Sequence, residues 1–217
     1  MDSKEYLINR GEALRYLNWR QALPKENQAL FQKAEQLFLE AVNPKFYYQV
    51  YPKEELNDLL SGEDIKKHLQ SAEQVILLAA TLGAEVDSLI RRTQIEDMAL
   101  SVIIDALASA AIEEVCDLAC DELEEKYAPL TLTSRYSPGY GDWSLEKQDE
   151  FLRALDAGKK IGLCVNSSLM LTPIKSVTAA IGLLKKEQAK GQSTHDCSKC
   201  NLYKSCQYRK EGISCGR

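Results

Sequence analysis

An α+β fold, with a twisted, mostly antiparallel sheet, long helices and a cysteine-rich C-terminal tail, is what this sequence predicts. Three observations carry it. Helical and strand patterns segregate along the chain instead of alternating, which argues against a doubly wound parallel sheet. Glu85 to Lys126 keeps helical apolar spacing with neither glycine nor proline. From Lys185 to Arg217 aliphatic residues are nearly absent while lysine, glutamine, serine and cysteine take over, which leaves no core for that segment to form.

Taken in order, Glu5 to Leu17 reads as a helix, and so does Lys25 to Val42, whose Leu30, Ala34, Leu37, Phe38 and Ala41 fall on one face. Asn43-Pro44 ends it. Phe46 to Tyr51 is aromatic and β-branched and stops at Pro52, as a strand does. Ser61 with Asp64 three residues on predicts a capped helix start, with Ile65 and Leu69 turned inward. Val75 to Ala80 is a short apolar run, the pattern of a buried strand. The stretch from Glu85 would span ~60 Å as one helix at 1.5 Å per residue, so a break or strong bend is expected in it. Pro129 ends it, and Leu130 to Arg135 alternates as a half-buried strand. Leu145 to Leu155 predicts a short amphipathic helix; Ile161–Val165, Leu169–Leu171 and Val177–Leu184 predict strands, with Pro173 at an edge or turn.

The chain has 217 residues and a formal charge of −5, with 27 basic against 32 acidic residues. That size supports one large domain or one domain with an appendage, and that charge offers no field for a polyphosphate backbone, so nucleic acid is not an expected partner. No apolar run approaches the ~18–20 residues of a membrane span, and the N-terminus lacks a secretory signal pattern; a cytoplasmic location without membrane partners is expected. In a reducing compartment the 7 cysteines are not expected to pair as disulfides. Cys116, Cys120 and Cys164 read as buried free thiols.

The most informative stretch is Arg135-Tyr-Ser-Pro-Gly-Tyr140. Pro138 presets the first central position of a turn and Gly139 accepts positive φ at the second. Arginine offers a planar fork for a carboxylate, and tyrosine a hydroxyl and a ring face that attracts cations. Together they suit a zwitterionic, cationic ligand of amino-acid type. A strand-ending turn with its arginine on a surface carboxylate would use the same residues.

Residues 135–141, RYSPGYG, with Asp142-Trp143 and the segment from Ile161 to Leu183 containing Pro-x-x-Ser-Val, resemble the reactivation domain of vitamin B12-dependent methionine synthase. The resemblance covers residues 64–184, making 1–184 an activation-domain-like unit with 1–63 a helical N-terminal extension holding one strand. It implies that S-adenosylmethionine binds at the turn, with Arg135 on its carboxylate, backbone around Ser137, Pro138 and Gly139 near the adenine, and Tyr140 in contact. A helical glutamate would meet the amino group. By similarity this is Glu113, whereas the line of Leu107, Ala111 and Leu118 favours Glu114, and both stay open. The implied role is a stand-alone activator supporting reductive methylation of cob(II)alamin. Its implied partner is a cobalamin-dependent methionine synthase or related corrinoid protein, with electrons from a donor such as a flavodoxin or ferredoxin. A family aspartate from the N-terminal segment has no match here.

Outside the resemblance, residues 185–217 set Cys197, Cys200, Cys206 and Cys215 within 19 residues. A Cys-x-x-Cys pair plus two later thiols makes a four-thiolate metal set. Missing the second close pair usual for zinc, it fits an iron–sulfur cluster, a zinc staple or a loose reduced tail, with His195 a spare ligand. A different class of function stays open: a metal-dependent redox or adaptor protein that keeps the fold and uses the sheet groove only to dock a partner, without binding S-adenosylmethionine.

Overall fold

The computed structural model describes residues 4–19 and 25–185. In chain order these form α1 (Arg10–Tyr16), α2 (Lys25–Ala41), β1 (Lys45–Pro52), α3 (Glu63–His68), β2 (Gln74–Thr81), α4 (Ala84–Glu96), α5 (Met98–Lys126), β3 (Thr131–Leu132), α6 (Lys147–Ala154), α7 (Ala157–Ile161), β4 (Cys164–Val165), β5 (Leu171–Thr172) and β6 (Ser176–Leu184). The main sheet runs β1-β2-β6-β3 and is antiparallel throughout, as the segregated pattern predicts.

β2 is covered on both faces, which is why it reads as an unbroken apolar run and not as an alternation. Its Val75, Leu77 and Ala79 face Ile65, Trp143, Phe151 and Leu155, contributed by α3, α6 with the residue that caps it, and the loop before α6. Ile76 and Leu78 face Ala119 and Leu123 of α5, and Ala80 packs with α2, α4 and the first half of α5. Two helical layers thus sandwich the sheet, with α5 lying along one face.

The expected break in the long helical stretch falls at Asp97. Its backbone is extended, with φ of −157°. Its N–H bonds to Thr93 O at 2.8 Å to close α4, while its carboxylate accepts from Leu100 N at 3.1 Å to open α5. One aspartate therefore serves as stop and start. Ser101 Oγ donates to Ile90 O across the elbow at 3.1 Å.

Several boundaries differ from the sequence expectation. The first helix divides into a 3-10 turn (Lys4–Leu7) and α1, because Asn9 turns its side chain onto Glu12 N at 3.1 Å. Ser61 does not cap α3: Gly62 holds the cap position, and the side-chain acceptor comes from Asp142. Ile161 closes α7 instead of opening a strand, with Gly162 at φ +73° taking the left-handed position that ends it. The predicted strand 130–135 shrinks to Thr131–Leu132, pairing with Leu184 and Leu183, followed by an isolated bridge from Tyr136 to Ala180. After that bridge Pro138-Gly139 carries the chain away from β6. Among the described residues no strand then pairs with Ser176–Ala179 on that side, and the gap opens a cleft.

Among the described residues no helix is long and apolar enough to cross a membrane.

Candidate functional site

The turn has the geometry its sequence predicts. Tyr140 N donates to Ser137 O at 3.1 Å, and Gly139 has φ of +93°. Pro138 and Gly139 are thus the central pair of a type II turn. Gly139 N also bonds to Trp143 O at 2.7 Å, and Trp143 N to Tyr140 O at 3.0 Å, closing a second loop over 139–143.

That loop is bolted down from below. The Trp143 indole is 1% exposed and donates to Leu59 O at 2.8 Å. The Asp142 carboxylate accepts from Glu63 N at 2.8 Å and Asp64 N at 2.9 Å, while Asp64 Oδ2 accepts from Asp142 N at 3.3 Å. This is a capping box closed between segments 78 residues apart. The amide bonds from Asp64 and Glu63 hold the Asp142 carboxyl below its ordinary pKa. Gly141, at φ +53°, passes so close that a Cβ there would lie 2.2 Å from Asp64 Oδ2 and 2.6 Å from the Tyr136 hydroxyl. Gly141→Ala is therefore expected to lower the melting temperature, measured by thermal denaturation.

Adjacent residues at the end of the shortened strand point to opposite faces of the sheet. Tyr136 turns to the α3 side, where its ring stacks on Trp143 at 6.3 Å, lies 5.1 Å from His68 and meets the edge of Tyr140 at 5.9 Å. His68 Nε2 lies 2.8 Å from Ser134 O, an arrangement that the neutral Nε2–H tautomer satisfies by donating. Burial pushes the His68 pKa below its ordinary 6.5, against the opposing pull of that carbonyl. Folding thus favours the uncharged ring, so its contribution is complete above pH 6.5 and is lost as pH falls through the lower folded-state value. Melting temperature against pH should drop more steeply on the acid side for the native chain than for His68→Gln.

Arg135 turns the other way, onto α5. Its Nη1 donates to Asp117 Oδ1 at 2.8 Å and its Nη2 to Glu113 Oε2 at 2.9 Å. Cys116 and Cys120 sit beside it. Burial pushes the Cys116 thiol up to about 12 and raises Cys120 too, with the guanidinium pulling both the other way. As expected from sequence, these two are buried or half-buried free thiols, but Cys164 is exposed on β4. One turn back along α5, Lys175 reaches Ser109 Oγ at 2.8 Å and Asp105 Oδ1 at 2.9 Å. Asp105, Ser109, Glu113 and Asp117, spaced at i+4, thus form a polar column on which two cations seat the turns holding Arg135 and Lys175.

Between these turns lies a cleft of about 440 Å³, within the size range of small-molecule sites. Arg135, Ser137, Pro138, Tyr140 and Glu113 all line it, so the structure brings together the residues the sequence singled out. Gly139 sits behind, where a Cβ would come within 3.3 Å of Leu145. Glu114 does not line the cleft. The helical line drawn through Leu118 misleads, because Leu118 is itself 39% exposed.

The other walls were missed as site residues. Gln148 and Thr178, both nearly fully buried, form a 2.7 Å hydrogen bond and line the cleft. The β4–β5 hairpin adds Leu169, Met170 and Leu171, its loop held by Asn166 Oδ1 accepting from Ser168 N and Met170 N at 2.9 and 3.1 Å. Ile174 N donates to buried Asp87 at 2.7 Å, fixing the turn before β6. Of these walls only the stretch around Ser176 and Val177 had a sequence signal, the Pro173-x-x-Ser176-Val177 motif. Tyr140, Met170 and Ile174 are each more than half exposed at the rim.

Cys197, Cys200, Cys206, Cys215 and His195 lie outside the described residues. Among the described residues no group of three or more His, Cys, Asp or Glu is placed to hold a metal.

No protein-family model matches this chain, and no curated protein matches it in sequence. Among solved structures, the crystal structure of the MetH reactivation domain bound to AdoHcy matches with a TM-score of 0.61 and 14% identity, over 97% of this chain and 83% of that one. The chain has the fold of that domain.

Proposed function

We propose that this chain, having the fold of the MetH reactivation domain, binds S-adenosylmethionine in the cleft at Arg135–Tyr140 and supports reductive methylation of cob(II)alamin on a cobalamin-dependent methionine synthase or related corrinoid protein. The observation that carries the reading is the coincidence of two independent features. The turn singled out by sequence lines a cleft of ligand size, and the similar fold was crystallised with AdoHcy, the demethylated relative of the proposed ligand.

Arg135 holds the ligand carboxylate and Glu113 its ammonium. Backbone around Ser137 and Pro138 meets the adenine, with Gly139 supporting the turn from behind and Tyr140 closing over it. Buried Gln148 and Thr178 offer an amide and a hydroxyl at the far wall. A rigidly mounted turn is what positioning requires, because a methyl transfer gains rate from holding donor and acceptor at attack distance. The apolar rim of Tyr140, Met170 and Ile174 leaves the methyl side open to a partner. A corrinoid carried by the partner would supply the cobalt nucleophile once reduced by one electron from a flavodoxin- or ferredoxin-type donor, taking the methyl as the C–S bond breaks and leaving S-adenosylhomocysteine. This chain's part is to hold the methyl donor in place.

Titration calorimetry with S-adenosylmethionine tests the reading: saturable binding at one site per chain supports it, and heats indistinguishable from dilution overturn it. The second reading, a redox or adaptor protein that does not bind the nucleoside, draws on the internal pairing of Arg135 with Glu113 and Asp117. It requires the null titration. In either reading Cys197, Cys200, Cys206 and Cys215 are proposed to hold an iron–sulfur cluster or zinc, which iron and zinc analysis of anaerobically prepared protein distinguishes.

A further inference from the structure

We infer that Asp117 is a positioning residue for the ligand's amino-acid end: it anchors Arg135 from behind so that Glu113 can exchange its hold on the guanidinium for the ligand's ammonium. The inference rests on the reading of the cleft given above.

The two acids that share Arg135 are not equivalent. Glu113 lines the cleft and its side chain is 50% exposed; Asp117 does not line it and is 27% exposed. Each takes one N–H, Glu113 from Nη2 and Asp117 from Nη1. In the free protein Glu113 therefore occupies the place on the guanidinium that a ligand carboxylate would take. A zwitterion can replace it without loss. The ligand carboxylate takes Nη2, and the displaced glutamate finds a cation in the ammonium one carbon away.

That exchange needs the guanidinium to stay where it is. Asp117 supplies that hold, because its bond to Nη1 lies outside the cleft and stays in place while Nη2 passes from Glu113 to the ligand carboxylate. With Asp117→Asn the charge-assisted bond to Nη1 becomes a neutral one, the guanidinium is held less firmly, and the ligand carboxylate meets a less well-placed fork. The effect is confined to ligands that carry the amino-acid group, because only these contend for Arg135 and Glu113.

The test uses the full chain and its Asp117→Asn variant, whose amide is isosteric and can still accept from Nη1. Calorimetry is run with S-adenosylmethionine, S-adenosylhomocysteine and 5′-methylthioadenosine, which shares the nucleoside and thioether but has no amino-acid end. Asp117→Asn is expected to weaken both amino-acid ligands roughly tenfold, the scale of one charge-assisted hydrogen bond, and to leave 5′-methylthioadenosine unchanged. Equal weakening of all three would make Asp117 a structural support of the cleft and overturn the inference, as would no change in any. Failure of the native chain to bind S-adenosylmethionine fells the underlying reading first, and is seen before any variant is compared. An unchanged melting temperature of Asp117→Asn in the absence of ligand confirms that the comparison is between folded proteins.

Discussion

Arg135→Ala is expected to abolish the rise in melting temperature that the proposed binding of S-adenosylmethionine would produce in the native chain. A ligand at a hundred times its dissociation constant stabilises a protein by ~2.7 kcal/mol, or roughly 5–10 °C for a chain of this length. The native protein should show that shift in a thermal denaturation series and the variant should show none. Loss of the side chain also removes the guanidinium that Glu113 and Asp117 share, so the unliganded variant should melt slightly lower. That second effect is small, because the ion pairs are partly solvated. Arg153→Ala, on an exposed face of α6, should behave as the native protein. A full ligand-induced shift in Arg135→Ala would remove the guanidinium from the site.

Trp143→Ala should be the most destabilising single change in the ligand turn. The indole is buried among Tyr136 and Phe151 and gives its only N–H to Leu59 O. Truncation leaves a cavity and an unpaired carbonyl. Buried Trp-to-Ala changes cost ~3–5 kcal/mol, which translates to roughly 6–20 °C in melting temperature here. Binding should fall with it, because Gly139 and Tyr140 hydrogen-bond to the Trp143 backbone. Trp143→Phe should recover much of the stability while still lacking the indole bond, which separates packing from hydrogen bonding.

What the sequence reveals and what it hides follow from how local each signal is. α2, β1, β2 and the body of β6 are legible because burial imposes a period on a continuous run. The cleft's turn is legible because Pro138 and Gly139 act within the turn itself. Asp97 is hidden inside an apparently seamless helix, since a capping aspartate looks like any other charged residue until its side chain is seen to turn back. The cap of α3 is misread for the opposite reason: Ser61 lies at a plausible local spacing, but the acceptor arrives from Asp142. Gln148, Thr178 and Asp87 carry no local signal, because each is defined only by what another segment places beside it. Glu113 and Glu114 differ by one position, and only the packing of α5 against Arg135 tells them apart.

The cap shared by Asp64 and Asp142 makes the first turn of α3 report on the ligand turn. Glu63 and Asp64 amides can exchange with solvent deuterium only when Asp142 releases them, and Asp142 lets go only when the loop beneath the ligand opens. A helix with no part in the cleft thus becomes its reporter. Occupancy by a ligand that steadies residues 137–143 should slow exchange at two amides belonging to a distant stretch of chain.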